Sequence, residues 1–233
     1  MKNLSGWLCL DKPEGMSSNS AMIKTRKILG TVKTGYLGTL DPFATGVLPI
    51  AIGEARKFIQ FIEESEKTYI FTITFGIITD TLDKSGKIIE TCSCIPTKNE
   101  ILATIPHFIG TIEQIPPIFS AIKINGKRAC DRVRSGEQVE IKSRTIKIFD
   151  LRLLQTDLEK NEATFTVTCS KGTYIRSLAR DFAKKLGSLA HVKDLRRTKS
   201  GFFSINNAIP LEKLQKIDNT SKLAGELASV ESP

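Results

Sequence analysis

Histidine is almost absent: His107 and His191 are the only two among 233 residues. A histidine-rich metal centre is excluded on that count. Cysteine is sparse and odd in number, at Cys9, Cys92, Cys94, Cys130 and Cys169. Cys92 and Cys94 have one residue between them, short of zinc-knuckle spacing, and no second pair follows. No apolar run approaches the ~20 residues of a spanning helix. The opening MKNLSGWLCLDKPEG carries no apolar core of a secretory signal. Together these absences predict reduced thiols in a cytoplasmic, non-membrane protein. The rest is ordinary for a globular chain: 40% hydrophobic and 25% charged residues, enough for one large or two small domains with a conventional core.

Charge is what the sequence has in excess. Lys and Arg number 34 against 25 Asp and Glu, for a net +9 and a pI near 9.3. The excess is local. Residues 123–147 hold eight basic and three acidic side chains, and residues 171–200 hold nine basic and two acidic ones. These two stretches exceed the net charge of the whole chain, so the remainder is slightly acidic. That distribution fits a polyanion-facing surface, with nucleic acid the first candidate. A solvated basic face with no partner has the same composition.

Punctuation and periodicity give an outline. Ser18–Leu29 reads as a helix capped by Ser17 or Ser18 and ended by Gly30, with Met22, Ile23, Ile28 and Leu29 as its apolar positions. The segment GYLGTLDPFATG (35–46) has too many turn formers for a regular element. Val47–Ile52 reads as a buried strand, and Glu54–Glu63 as a helix turning Phe58, Ile59, Phe61 and Ile62 inward. Lys67–Phe75 is the clearest strand, with Tyr69, Phe71, Ile73 and Phe75 on one face. A turn follows over Thr79–Gly86, then a strand at Lys87–Thr91. Thr97-x-x-Glu100 is a capping box opening a helix that ends before Gly110. Residues 111–126 read as extended, Lys127–Arg134 as a short helix, and 139–155 and 163–169 as strands. Thr173–Leu186 reads as a helix, 189–204 as a loop and final strand, and the tail from Glu212 as polar. Strands and helices mix without regular βαβ alternation, which predicts α+β with a largely antiparallel sheet.

Three residues stand out chemically. Asp41 lies in a loop tightened by Gly38 and Gly46, and Pro42 biases it toward an extended conformation. It is either a turn-capping aspartate or a positioned catalytic carboxylate. Arg176 falls in the first turn of a helix, against the macrodipole. That placement calls for an anionic partner, a carboxylate or a phosphate, unless the side chain simply points to water. Tyr69 is by position a core aromatic. Its alternative role is a platform for an extruded base.

Six segments go further: WLCLDKPEGMSS, GYLGTLDPFATGVLPIAIGEARKF, KTYIFTITFG with TDT after it, QIPPIFSAIKINGKRA, CSKGTYIRSLARD and LRRTKSG. In order and rough spacing they resemble the bacterial tRNA pseudouridine synthases of the TruB type, from about Gly6 to Phe203. The resemblance implies a pseudouridine synthase fold, α+β around a bent, mainly antiparallel sheet with its active site in a cleft. It implies isomerisation of uridine 55 in the T loop of tRNA, with no cofactor and no metal. Asp41 corresponds to the catalytic aspartate, Tyr69 to the tyrosine that stacks on the flipped uracil and helps remove the final proton, and Arg176 to the arginine that pairs with that aspartate. Tyr174 and Leu195 correspond to substrate-pocket positions, and Lys12 with Pro13 to a segment packed beside the cleft. Residues 113–146 correspond to an insertion that closes over the RNA.

Two departures accompany the resemblance. Tyr36 stands where the family usually has a histidine laid against the substrate loop; tyrosine keeps an aromatic face and a hydroxyl but cannot pick up and release a proton near neutral pH as histidine does. Cys130 stands where a tyrosine is frequent. Few residues follow the last motif, so the expectation is a catalytic domain over 1–210, a tail over 211–233 and no complete PUA domain. The partner expected is the tRNA T stem-loop, with no guide RNA or partner protein and a monomeric state. The rival readings are an RNA-binding protein without catalysis and a guide-dependent relative.

Overall fold

Strand β1 (Gly6–Lys12) runs antiparallel to β3 (Thr45–Ile52), placing Trp7 opposite Ala51 and Lys12 opposite Gly46. This pairing anchors the first of two compact units into which the chain divides, Met1–Tyr69 with Leu195–Pro233, and Ile70–Asp194. The computed structural model describes residues 5–30, 33–120, 123–124, 127–128, 137, 141–157 and 159–216.

In the first unit the strand order is β14 (Ile209–Pro210), β1, β3 and β12 (Ala190–Ser200). Strand β2 (Thr34–Tyr36) pairs antiparallel with β3, and β13 (Phe203–Ser204) with β12. The β12–β3 and β14–β1 pairings are parallel. Trp7, Leu37, Val47, Ala51, Ala55 and Phe203 form its core. Trp7 and Phe203 lie with ring centroids 5.3 Å apart. Helix α1 spans Ser18–Leu29 as expected; Ser17 caps it by accepting from the Ser20 N–H, and Gly30 ends it at φ 61°. Its buried stripe is Ser18, Ala21, Thr25 and Leu29, not the larger Met22, Ile23 and Ile28, because small side chains at i, i+3 and i+4 spacing let the helix sit close to its neighbours.

The segment 53–62 departs from expectation. It is a 3₁₀ turn, Gly53–Phe58, passing into a single α-turn, α2 (Ile59–Ile62). Ala55, Ile59 and Ile62 form the inward stripe. Phe58 and Phe61 remain 56% and 72% exposed, since four apolar positions within five residues cannot all share one narrow face of a helix.

In the second unit the order is β12, β4 (Lys67–Phe75), β11 (Glu162–Cys169), β10 (Arg144–Asp157) and β7 (Gly110–Gln114). The β10–β11 and β10–β7 pairings are antiparallel. Strand β4 buries Tyr69, Phe71, Ile73 and Phe75 as its alternation requires. Phe71 stacks on Phe165 at 5.3 Å, Phe165 meets Phe182 edge-on at 5.3 Å, and Phe108 lies 5.2 Å from Phe182. Each buried ring contributes roughly 1.5–3 kcal/mol by area, and the ring geometry somewhat more. A short hairpin, β5 (Ile77–Thr79) with β6 (Ile88–Thr91), frames the turn between them. Helix α3 (Lys98–Thr104) has the reciprocal capping box of Thr97 and Glu100. The fold is thus α+β on mixed, mostly antiparallel pairing.

Two further expectations are corrected. Residues 190–200 are one continuous strand that takes the place of the expected loop: burial alternates at Ala190 and Val192, slips by one residue at exposed Asp194 and resumes at Leu195 and Arg197, so the slip and a charged inward residue hide the pattern. Lys127–Arg128 is not helical but forms β9, antiparallel to β8 (Lys123–Ile124). The intervening Asn125-Gly126 is the sequence signature of a two-residue hairpin. Residues 129–134, with Cys130, lie outside the described residues, as do much of the expected insertion and residues 217–233 of the expected tail.

Candidate active site

In the first unit, residues 37–44 carry the chain from β2 into β3, and Asp41 sits half-buried at their centre. Side chains from elsewhere hold this loop. The Ser18 hydroxyl accepts from the Leu40 N–H at 2.8 Å and donates to the Leu40 carbonyl at 3.0 Å. Pro42 offers its carbonyl to the Gly15 N–H at 2.8 Å and to Lys12 Nζ at 3.3 Å. Arg197, 1% exposed, donates to the carbonyls of Val47 at 2.7 Å and Gly38 at 3.0 Å. Lys12 is fully buried, and its ammonium also donates to the carbonyls of Pro13 and Met16 at 2.8 and 2.7 Å. Burial pushes the Lys12 ammonium down to about 8, while the charges of Asp41 and Glu14 pull it back up. Lys12 and Asp41 are therefore near enough to feel one another's charge.

Around this loop, Arg196 grips Asp11 with two bonds, 2.7 and 3.1 Å, and donates to Thr45 Oγ1 at 3.2 Å. Leu195, one residue earlier, is buried, as is Tyr69. Tyr36 pairs opposite Ile50 and lines an open cavity of about 560 Å³ bordered by Thr34, Arg56, Lys57 and Gln60.

In the second unit, helix α4 (Ile175–Lys185) begins two residues later than expected, with Tyr174 at its N-cap. No side chain of Tyr174 caps it. Instead Gln114, 1% exposed, accepts from the Tyr174 N–H at 2.8 Å and donates to its carbonyl at 3.1 Å. The Arg144 guanidinium lies 4.8 Å from the Tyr174 ring centroid. Arg176 is 3% exposed. It donates to the carbonyls of Thr81 at 2.8 Å and Phe119 at 3.1 Å, and Asp83 Oδ2 stands 3.6 Å away. An anionic partner was expected from the position of Arg176 on its helix, and in this unit a carboxylate is present.

Asp83 is itself built in. Its Oδ1 accepts from Thr81 Oγ1 and from the Ser85 N–H, both at 2.9 Å. Leu82 before it holds φ 63°, a left-handed conformation costly for a branched side chain. Sequence reasoning missed Asp83, Ser18, Gln114 and Arg197. For Asp83 a signal existed in TDTLDKS, where Thr and Ser stand two residues to either side of the aspartate, the spacing of side-chain-to-backbone turn bonds. Among the described residues no cluster of three His, Cys, Asp or Glu side chains could hold a metal ion.

Residues 26–175 match the family model for the TruB family pseudouridylate synthase N-terminal domain, and residues 176–232 that for the tRNA pseudouridylate synthase B C-terminal domain. The chain belongs to the TruB family. Similar relatives include the tRNA pseudouridine synthase B of Caulobacter vibrioides, 45% identical over 98% of this chain and 74% of that protein. The enzyme of the same name from Zymomonas mobilis is 49% identical over 94% of this chain and 74% of that protein. A chain in a solved Cbf5–Nop10–Gar1 complex superposes with a TM-score of 0.72 at 30% identity, over 94% of this chain and 56% of that one. The boundary between the two TruB family models falls between Ile175 and Arg176, at the first turn of α4.

Proposed function

We propose that this TruB family protein converts uridine 55 in the T loop of tRNA to pseudouridine, acting as a monomer in the cytoplasm without guide RNA or partner protein. The observation that carries this reading is the pair of family matches spanning residues 26–232. The reaction breaks a C–N glycosidic bond, turns the base and forms a C–C bond. It has no net redox change and needs no cofactor. Asp41 supplies the carboxylate that acts on base or ribose. A carboxylate drawn into a closed site stays ionised only beside positive charge. Lys12 supplies part of it, and Arg176 is the proposed guanidinium partner, suited by a planar fork that does not titrate.

The target base must leave its stack at a cost of a few kcal/mol. Stacking on Tyr69, about 1–3 kcal/mol, together with contacts from Tyr36, Tyr174 and Leu195 and basic contacts to phosphates, offsets that cost. Residues 1–210 are proposed as the catalytic domain, 113–146 as its RNA-gripping insertion and 211–233 as a C-terminal tail. Among the described residues no helix is long and apolar enough to cross a membrane.

The test is incubation of the purified protein alone with an unmodified tRNA transcript labelled with tritium at uridine C5. Tritium release mapping to position 55 is expected. No release, or release from another position, overturns the reading.

A further inference from the structure

Between the end of β2 and the start of β3 the catalytic loop makes few backbone bonds of its own. Leu37 donates to Pro49, and Ala44 closes a turn onto the Asp41 carbonyl at 3.1 Å. At Leu40 one side chain takes both backbone groups: the Ser18 hydroxyl receives the N–H and returns its own hydrogen to the C=O. A neighbouring strand residue would satisfy Leu40 in the same way. Ser18 is 1% exposed and opens helix α1, so the clasp is closed to water. Helix capping is left to Ser17, so Ser18 is not required for that role.

We infer that Ser18 is a positioning residue for Asp41, an inference that rests on the isomerase reading above. The Leu40 carbonyl lies in the same peptide plane as the Asp41 N–H, so the clasp fixes that plane and with it the φ side of Asp41. On the other side Pro42 restricts the ψ of Asp41. The carbonyl of the Asp41–Pro42 peptide accepts from the Ala44 N–H at 3.1 Å, and the Pro42 carbonyl beyond it is held by Gly15 and Lys12. Asp41 is bracketed between two pinned peptides and keeps only its side-chain torsions. A carboxylate that attacks or abstracts must stand within a few tenths of an ångström of its target, and a displacement of about 1 Å costs about 100-fold.

Serine suits the task because a hydroxyl donates and accepts from one atom. Alanine does neither. Cysteine has nearly the same shape but a weak donor and a weak acceptor. The experiment measures single-turnover pseudouridine formation, tRNA Kd and thermal midpoint for wild type, Ser18→Cys and Ser18→Ala. In the folded Cys variant the rate is expected to fall about 10–100-fold, with the Kd within twofold of wild type. The Ala variant is expected to lose at least as much rate. Wild-type rate in the Cys variant overturns the inference. So does a parallel loss of rate and tRNA affinity, or failure of both variants to fold, since each assigns Ser18 to the scaffold alone. An inactive wild type in the same assay instead sinks the isomerase reading.

Discussion

The Asp83 carboxylate stands 3.6 Å from the Arg176 guanidinium, with 7% and 4% of the two side chains exposed. Both ions have further bonds, Asp83 from Thr81 and Ser85 and Arg176 to the carbonyls of Thr81 and Phe119. Removing Asp83 strips a buried guanidinium of one of its partners, and a broken buried pair typically costs about 3–5 kcal/mol. Asp83→Ala is expected to lose about that much stability in urea. Asp83→Asn keeps the shape and an acceptor for Thr81 and Ser85 and is expected to lose less. Both variants are expected to lose isomerase activity even where they are fully folded, because Arg176 is no longer held in place. An Asp83→Ala protein as stable as wild type refutes the assignment of a stabilising pair.

Lys12 gives a pH signature. Burial holds its folded-state pKa at about 8, below the ordinary lysine value of 10.5. Between those values the unfolded chain binds the proton and the folded one does not, so stability rises with pH across the window. The contribution is complete above 10.5 and is lost as pH falls through about 8. Lys12→Met removes the titration. The stability difference between wild type and Lys12→Met, read from urea melts at steps from pH 7.5 to 10.5, is expected to change in favour of wild type as pH rises. A difference that is flat with pH overturns this account.

Much of this organisation could be read from the chain because local rules and global packing agree there. Lys67–Phe75 alternates strictly, Ser17 and Gly30 bracket α1, and Thr97 with Glu100 closes its box as the spacing requires. The reading failed where polar groups do structural work in the interior. Arg197 faces inward on β12, so its strand lost its apolar alternation. Ser18 looked like a cap and is a clasp. Asp41, Tyr69 and Arg176 were singled out by loop chemistry, alternation and dipole, but Asp83 was not, because a carboxylate in a polar turn resembles any solvated turn residue until its arginine is placed beside it. Phe58 and Phe61 erred in the opposite sense: their hydrophobicity predicted burial, and the helical stripe excluded them.

The cysteines differ in reactivity for reasons of place. Burial, reinforced by the charge of Asp11, pushes the Cys9 thiol up to about 12, so its thiolate is nearly absent at neutral pH. Cys94 is exposed. Treatment of the native protein with iodoacetamide at pH 8, followed by peptide mapping, is expected to label Cys94 and leave Cys9 unmodified. Labelling of both at equal rates in the folded protein contradicts the burial assigned to Cys9.

Gly46 is required by a close approach of two backbones. It holds φ 102°, and a Cβ there would stand 2.2 Å from the Arg197 carbonyl oxygen and 2.9 Å from its nitrogen. These are the residues that join β3 to β12 in parallel, Gly46 opposite Arg197. Gly187 has a similar positive φ, 68°, with nothing within 4 Å of its would-be Cβ. Gly187→Ala therefore adds backbone strain alone, about 1–2 kcal/mol. Gly46→Ala adds the same strain and must also part the two strands. That shifts the Arg197 guanidinium off the Gly38 and Val47 carbonyls that frame the Asp41 loop. Urea melts are expected to show Gly46→Ala destabilised well beyond Gly187→Ala, with isomerase activity lost in the first and retained in the second. Equal destabilisation of the two variants would show that the strand contact tolerates a methyl group and that the loop is held by other means.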